Sequence, residues 1–285
     1  MNAPATELQT WLEAAWDRHD REPRPLLAEL TERAPALPDD ASGADAVRLA
    51  RHVAIAHLGD GAALRAFVAR LPAGQEIDKA RAAAQWAAET LEGGSPPPLP
   101  VALRWGPLSD VAAAEVERGL LAQARARLVD VESEASGHAD PAVRRAYAAA
   151  CNNLAAALRF GPRGDAARDA LMIELAELSR RAWARAGNWM NEERADYLLA
   201  HCHAVIGQGA QALAHAHACL KTCEANGADA GERFFAHEAM LVAHRAAGDA
   251  AAAAAQRARM AALLPQVEDE GLRDFCRRTL EKTPQ

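Results

Sequence analysis

The sequence predicts an all-α chain built from consecutive antiparallel helix pairs, and three observations predict it. Strand formers are scarce: aromatics make up 5% of the 285 residues and only four Ile occur, too few to furnish a sheet. Ala and Leu dominate, and with Arg, Glu and Gln they are strong helix formers. Turn punctuation recurs, because Gly164-Asp165, Gly207-Gln208-Gly209 and Gly248-Asp249 follow one another at intervals of 43 and 41 residues. A near-constant period of that size is the mark of stacked repeats. In each Gly-Asp pair the Gly can end one helix with left-handed backbone while the Asp caps the next.

Taken in order, residues 7 to 19 place Leu8, Trp11, Leu12, Ala15 and Trp16 along one helical stripe, and a short helix from Pro25 to Ala34 follows. The Pro-, Asp- and Gly-rich segment 35–43 reads as a loop. Ser42 with Asp45 resembles a capping box, opening a helix that ends near Gly59-Asp60, with either Gly59 or Gly61 setting the turn. A partner helix runs to about Leu71, and Gln75 to Leu91 forms the next. The run Gly93-Gly94-Ser95-Pro96-Pro97-Pro98-Leu99-Pro100 breaks it. That run reads as a long loop or hinge, partly in polyproline II conformation, rather than as a ligand for an SH3-type domain. Helical pattern resumes by Ser109 and continues to Val131 as one long helix, kinked at Gly119.

Three clear pairs follow: 141–160 with 165–186, 190–206 with 209–225, and 230–247 with 249–264. Asp140 can cap the first helix, where Pro141 forfeits an N–H that had no partner anyway. Asp229 with Glu232 gives a capping box after the stop signal Asn226-Gly227. A terminal helix, Leu272 to Leu280, covers the last pair, and the Ala250–Ala255 run is a strong helix with small side chains. The domain reading is therefore 1–92 as an N-terminal helical region with a degenerate repeat, 93–107 as linker, and 108–285 as repeats with a C-terminal cap.

Net charge is −7, which gives no general attraction to DNA, RNA or anionic lipid. Met1 to Trp11 lacks a leader pattern, and no stretch of about 18 apolar residues occurs. Five Cys, at 151, 202, 219, 223 and 276, suit a reducing compartment. The expectation is a soluble, cytoplasmic protein that binds neither nucleic acid nor membrane.

Over residues 138–264 the chain resembles the tetratricopeptide repeats, specifically the variety of roughly 42 residues seen in kinesin light chains. The resemblance is carried by Asp140-Pro141-Ala142-Val143 leading to Asn152-Asn153-Leu154-Ala155, then the Gly-Asp turn and a long second helix. It implies a right-handed α-α superhelix whose groove is lined by one face of each first helix. Carried onto this chain, that face comprises Asn152 and Arg159, then Arg194, Tyr197 and His201, then Phe235, Glu238 and Arg245. Three Arg against one Glu imply a locally basic groove for an acidic or carboxylate-bearing peptide, because guanidinium binds carboxylate in bidentate fashion. The opposing reading is that these Arg are solvated or paired with nearby Glu.

Other constellations carry less. His203, His215, Cys219 and Cys223 could supply four zinc ligands from two antiparallel helices, yet no CxxC occurs and the same residues suit packing between helices. Cys202 beside His201 and His203 cannot act as an activated nucleophile, since helix neighbours do not converge on one reacting atom. No GxSxG, P-loop or dinucleotide fingerprint occurs, and Glu192-Glu193 at a helix start reads as acid placed for dipole and solvent. The reading is a non-catalytic scaffold without cofactor that binds a protein or peptide partner. The alternatives are a sensor that uses the His/Cys cluster for a metal or small molecule, and a homo-oligomer stacking through its terminal faces.

Overall fold

The computed structural model describes residues 7–282; residues 1–6, where the reading for a leader begins, and 283–285 lie outside it. Among the described residues no strand forms and no helix is long and apolar enough to cross a membrane. By packing the chain divides into two units, 1–131 and 132–285.

The first unit holds α1 (Glu7–Trp16), α2 (Pro23–Arg33), α3 (Ala41–His52), α4 (Gly61–Val68), α5 (Gln75–Leu91), α6 (Val101–Glu117) and α7 (Leu121–Leu128). Its core gathers Leu26 and Leu30 of α2, Leu49 of α3, Leu64 and Phe67 of α4 and Ile77 of α5, all fully buried. Four local details differ from the sequence reading. Asp40, not Ser42, caps α3, accepting from the Ser42 and Gly43 N–H at 2.8 and 3.0 Å. Asp45 instead takes the Trp16 indole N–H at 3.4 Å. α6 opens at Val101, inside the expected linker, because Trp105 and Pro107 find buried seats. Gly119 divides the expected long helix: at φ +75° it ends α6, the Leu120 N–H returns to the Glu115 carbonyl at 2.8 Å, and α7 begins afresh.

α3 does not end at His52 but runs on through a π-helical turn, Val53–His57. The Leu58 N–H bonds the Val53 carbonyl at 3.1 Å, five residues back, and Gly59 at φ +59° then stops the helix. Gly59 therefore sets this turn. α5 follows Gly74, which has no side chain to cap it, and Asp39 does so from a distance. Its carboxylate accepts the Gln75, Glu76 and Ile77 N–H at 2.9, 2.8 and 3.2 Å.

The second unit holds α8 (Glu132–Gly137), α9 (Pro141–Phe160), α10 (Ala166–Ala186), α11 (Trp189–Val205), α12 (Gly209–Ala225), α13 (Ala230–Ala246), α14 (Ala250–Leu263) and α15 (Glu270–Lys282). The six helices from α9 to α14 begin and end within one residue of the expected bounds. Side-chain caps fix five of the six starts, α12 having none. Asp140, Asp165, Asp229 and Asp249 each accept an N–H of the first turn, and Asn188 with Asn191 forms a reciprocal box.

The helices pack in sequential pairs, α9 with α10, α11 with α12 and α13 with α14, and each pair continues onto the next. The first helices also touch one another, α9 with α11 and α11 with α13. Tyr147, Leu154 and Leu158 of α9 and Phe234 of α13 are fully buried, and the Ser179 hydroxyl donates to the Ala148 carbonyl at 3.1 Å between α10 and α9.

Gly207 and Gly209 flank the α11–α12 turn for different reasons. Gly207 sits at φ +75° with open space beside it, whereas a Cβ on Gly209 would meet the Ala247 backbone at 2.5 Å. Gly207→Ala is expected to cost about 1 kcal/mol from the left-handed backbone alone. Gly209→Ala must push α12 off the end of α13 and should cost about 2 kcal/mol. Urea unfolding of the two variants side by side checks this order.

Candidate functional site

The residues expected at the groove lie on α9, α11 and α13, the three first helices that touch one another. Five of the eight meet. The Tyr197 hydroxyl of α11 donates to Glu238 Oε2 of α13 at 2.7 Å, and the Tyr197 ring lies 4.3 Å from the ring of His201, one turn on. His201 Nε2 stands 3.9 Å from the same Glu238 oxygen. Phe235 meets Tyr197 edge to face at 6.2 Å and reaches Phe275 of α15 at 6.0 Å. Arg159, at the end of α9, lies with its guanidinium 4.3 Å over the Phe160 ring.

Burial decides the charge states here. His201 is 8% exposed, and burial, with the Arg159 charge adding to it, pushes its imidazole down to about 3, so it is neutral. Burial likewise raises the Glu238 carboxyl, against the Tyr197 hydrogen bond and the Arg159 charge. The Tyr197 hydroxyl is raised well above its ordinary value by burial and by Glu238. Arg159 therefore supplies the fixed positive charge of the cluster, yet its Nε and Nη1 are enclosed with no hydrogen-bond partner. Leaving such donors unmet costs about 1–3 kcal/mol each.

The remaining three lie apart. Arg194 is exposed and forms an ion pair with Glu232 of α13, so its charge is already met. Arg245 is exposed near the end of α13. Asn152 is half-buried, and its amide makes only a long contact, 3.4 Å, with Asn153. The basic excess is smaller than three Arg against one Glu, because Glu232 was not counted with the face. Phe160 and Phe275, 79% and 50% exposed, were not expected either. An apolar side chain breaking the polar face in a last turn, as Phe160 does, was the signal available.

The expected zinc set does not share one centre. His203 and His215 stack at 5.5 Å, with His203 Nδ1 bonded to Gln208 Oε1 at 2.7 Å and His215 Nδ1 to Asp196 Oδ1 at 2.9 Å, yet among the described residues this set does not bring three ligand atoms within reach of one ion. The Cys219 thiol is committed elsewhere, donating to Glu193 Oε1 at 2.8 Å. Glu193 corrects the sequence reading: it is 1% exposed, not solvated, and burial raises its carboxyl to about 7. Cys151, Cys202 and Cys276 are poor nucleophiles, since burial lifts the first two to about 12 and the third to about 11. A hollow of about 530 Å³ in the first unit is lined by Val68, Gln85, Pro97 and Arg65, and that Arg is already paired with Glu92.

Comparison of the chain with protein families, with curated proteins and with solved structures returned no match.

Proposed function

We propose that the second unit is a short tetratricopeptide-like array, and that the face shared by α9, α11 and α13 binds an acidic or carboxylate-bearing peptide segment without catalysing a reaction. One observation carries the reading: Arg159 holds two enclosed donors with no partner beside a cluster of aromatic rings. An arginine stored this way gives up a contact with Tyr197 on moving but can satisfy both of its unmet donors. A carboxylate that draws the side chain past the exposed Phe160 satisfies Nε and Nη in bidentate fashion and removes the cost of the unmet donors. Phe160, Phe235 and Phe275 supply apolar contact on either side, the combination of Arg and aromatic anchors found at binding hot spots.

Titration with a panel of acidic peptides, each beside its Asn/Gln counterpart, tests this. Wild type is expected to retain acidic members and lose their amide forms. Arg159→Met should weaken binding by about 2 kcal/mol, roughly thirtyfold. Arg194→Glu should matter less, because Glu232 already meets that charge. Equal affinity for acid and amide peptides, or no loss in Arg159→Met, would remove the reading.

A further inference from the structure

A second constellation lies in the first unit and takes no part in the peptide-binding face. His19 follows α1, His52 ends α3, and His57 ends the π-helical turn. Their ring centroids form a nearly equilateral triangle, 4.9 Å for His52–His57, 5.0 Å for His19–His57 and 5.1 Å for His19–His52. One ring nitrogen from each lies within 4.8 Å of the other two.

The π turn makes this triangle. In a regular α-helix residues five apart point about 140° from each other, so His52 and His57 would face different ways. A turn closed by bonds to the fifth residue back, as Leu58 to Val53 at 3.1 Å, brings them onto one side. Such turns interrupt the regular ladder and occur frequently at functional sites.

Hydrogen bonding orients the rings. His52 Nδ1 faces Asp110 Oδ1 at 2.7 Å, and the other oxygen of that carboxylate takes the Arg51 Nε–H at 2.7 Å. Asp110 is thereby held as an acceptor, which makes His52 Nδ1 the N–H donor and leaves the Nε2 lone pair free. His19 Nδ1 bonds the Trp16 carbonyl, which can only accept, so His19 Nε2 is free by the same logic. Histidines that bind metal ions commonly donate their other N–H to a carboxylate or a backbone carbonyl, and both kinds of partner are in place here.

We infer that His19, His52 and His57 form a three-histidine site for a divalent transition metal, zinc being the type, with Asp110 and the Trp16 carbonyl as outer supports and solvent in the fourth position. Imidazole nitrogen selects zinc and its neighbours over calcium or magnesium, which take oxygen. Ligands at about 2.1 Å in a tetrahedron stand about 3.4 Å apart, so small ring rotations bring the three nitrogens onto one ion. Exposure of His57 leaves the outer side open to water or an incoming ligand.

The test uses the untagged full chain, stripped with a chelator and titrated with Zn²⁺ against a chromophoric competitor. One ion per chain at micromolar or tighter affinity is expected, and Co²⁺ in its place should give the intense visible absorption of a four-coordinate site. His57→Gln, at an exposed position that should leave the circular dichroism unchanged, is expected to weaken uptake by more than about tenfold, the smallest effect typical even of an outer partner. His215→Gln, in the second unit, should leave it unchanged. Absence of saturable one-to-one uptake would overturn the site. So would uptake that persists undiminished in His57→Gln, or that is lost equally in His215→Gln.

Discussion

Asp110→Ala is expected to destabilise the metal-free first unit by about 3–5 kcal/mol, the usual result of removing one member of a buried ion pair. Asp110 is 6% exposed and receives Arg51 Nε and His52 Nδ1, both at 2.7 Å, from a helix nearly sixty residues away in sequence. Burial alone would raise its carboxyl, but the Arg51 charge and the His52 hydrogen bond outweigh burial and hold it below the ordinary carboxylate value. Without the carboxylate, Arg51, itself 9% exposed, is left as a buried charge with nothing opposite. The paired replacement Arg51→Met with Asp110→Leu removes both charges and should recover most of the loss. Urea unfolding in the presence of a chelator measures this, and a loss below about 1 kcal/mol in Asp110→Ala would show that the pair is not held in a desolvated setting.

Glu193→Gln is expected to change the pH dependence of the second unit by about 3 kcal/mol. The folded carboxyl titrates near 7 against 4.5 unfolded, and each pH unit between them is worth about 1.4 kcal/mol. A raised folded value means that the folded state keeps a proton which the unfolded state releases. The contribution is therefore complete below pH 4.5 and disappears as pH rises to about 7. His201, held near 3, acts in the opposite sense: the unfolded chain binds its proton below 6.5, so stability is lost as pH falls through that range. Because the two windows overlap, the difference between wild type and Glu193→Gln isolates the carboxyl. Stability of wild type relative to the variant should fall by about 3 kcal/mol between pH 4.5 and pH 8. A difference that does not vary with pH would mean that Glu193 is ionised when folded.

The helix pairs of the second unit were legible because their signals are local. Asp140, Asp165, Asp229 and Asp249 cap within three residues of their own position, and Gly207 and Gly248 stop helices by their own backbone. In the first unit the nearest signals misled: Ser42-Asp45 has the spacing of a box, yet the helix opens at Ala41, so Asp40 holds the cap position and Ser42 lies inside the first turn as one of its N–H donors. The Asp39 cap on α5 reaches across more than thirty residues, which no local pattern announces.

Polar partners were least legible where a helix is surrounded. α11 is touched by α9, α10, α12 and α13, so Glu193, Asp196, His201 and His203 are all buried and no polar stripe marks a solvent side. Which of them faces Cys219, His215 or Glu238 is settled by tertiary packing alone. The resemblance set Tyr197, His201, Phe235 and Glu238 on one face of successive first helices, and these four side chains touch. It could not see Glu232 reaching back to Arg194. The π turn has no compositional mark either, so His52 and His57 read as separate helical residues and their meeting with His19 was invisible.

The proposed binding face stands on Arg159, whose Nε proton reports its own surroundings. In protein carrying nitrogen-labelled arginine, addition of an acidic peptide is expected to shift the Arg159 Nε–H resonance and slow its exchange with water, as a carboxylate closes on the guanidinium. A peptide that binds at full affinity while that resonance stays where it was would contradict the assignment of this face.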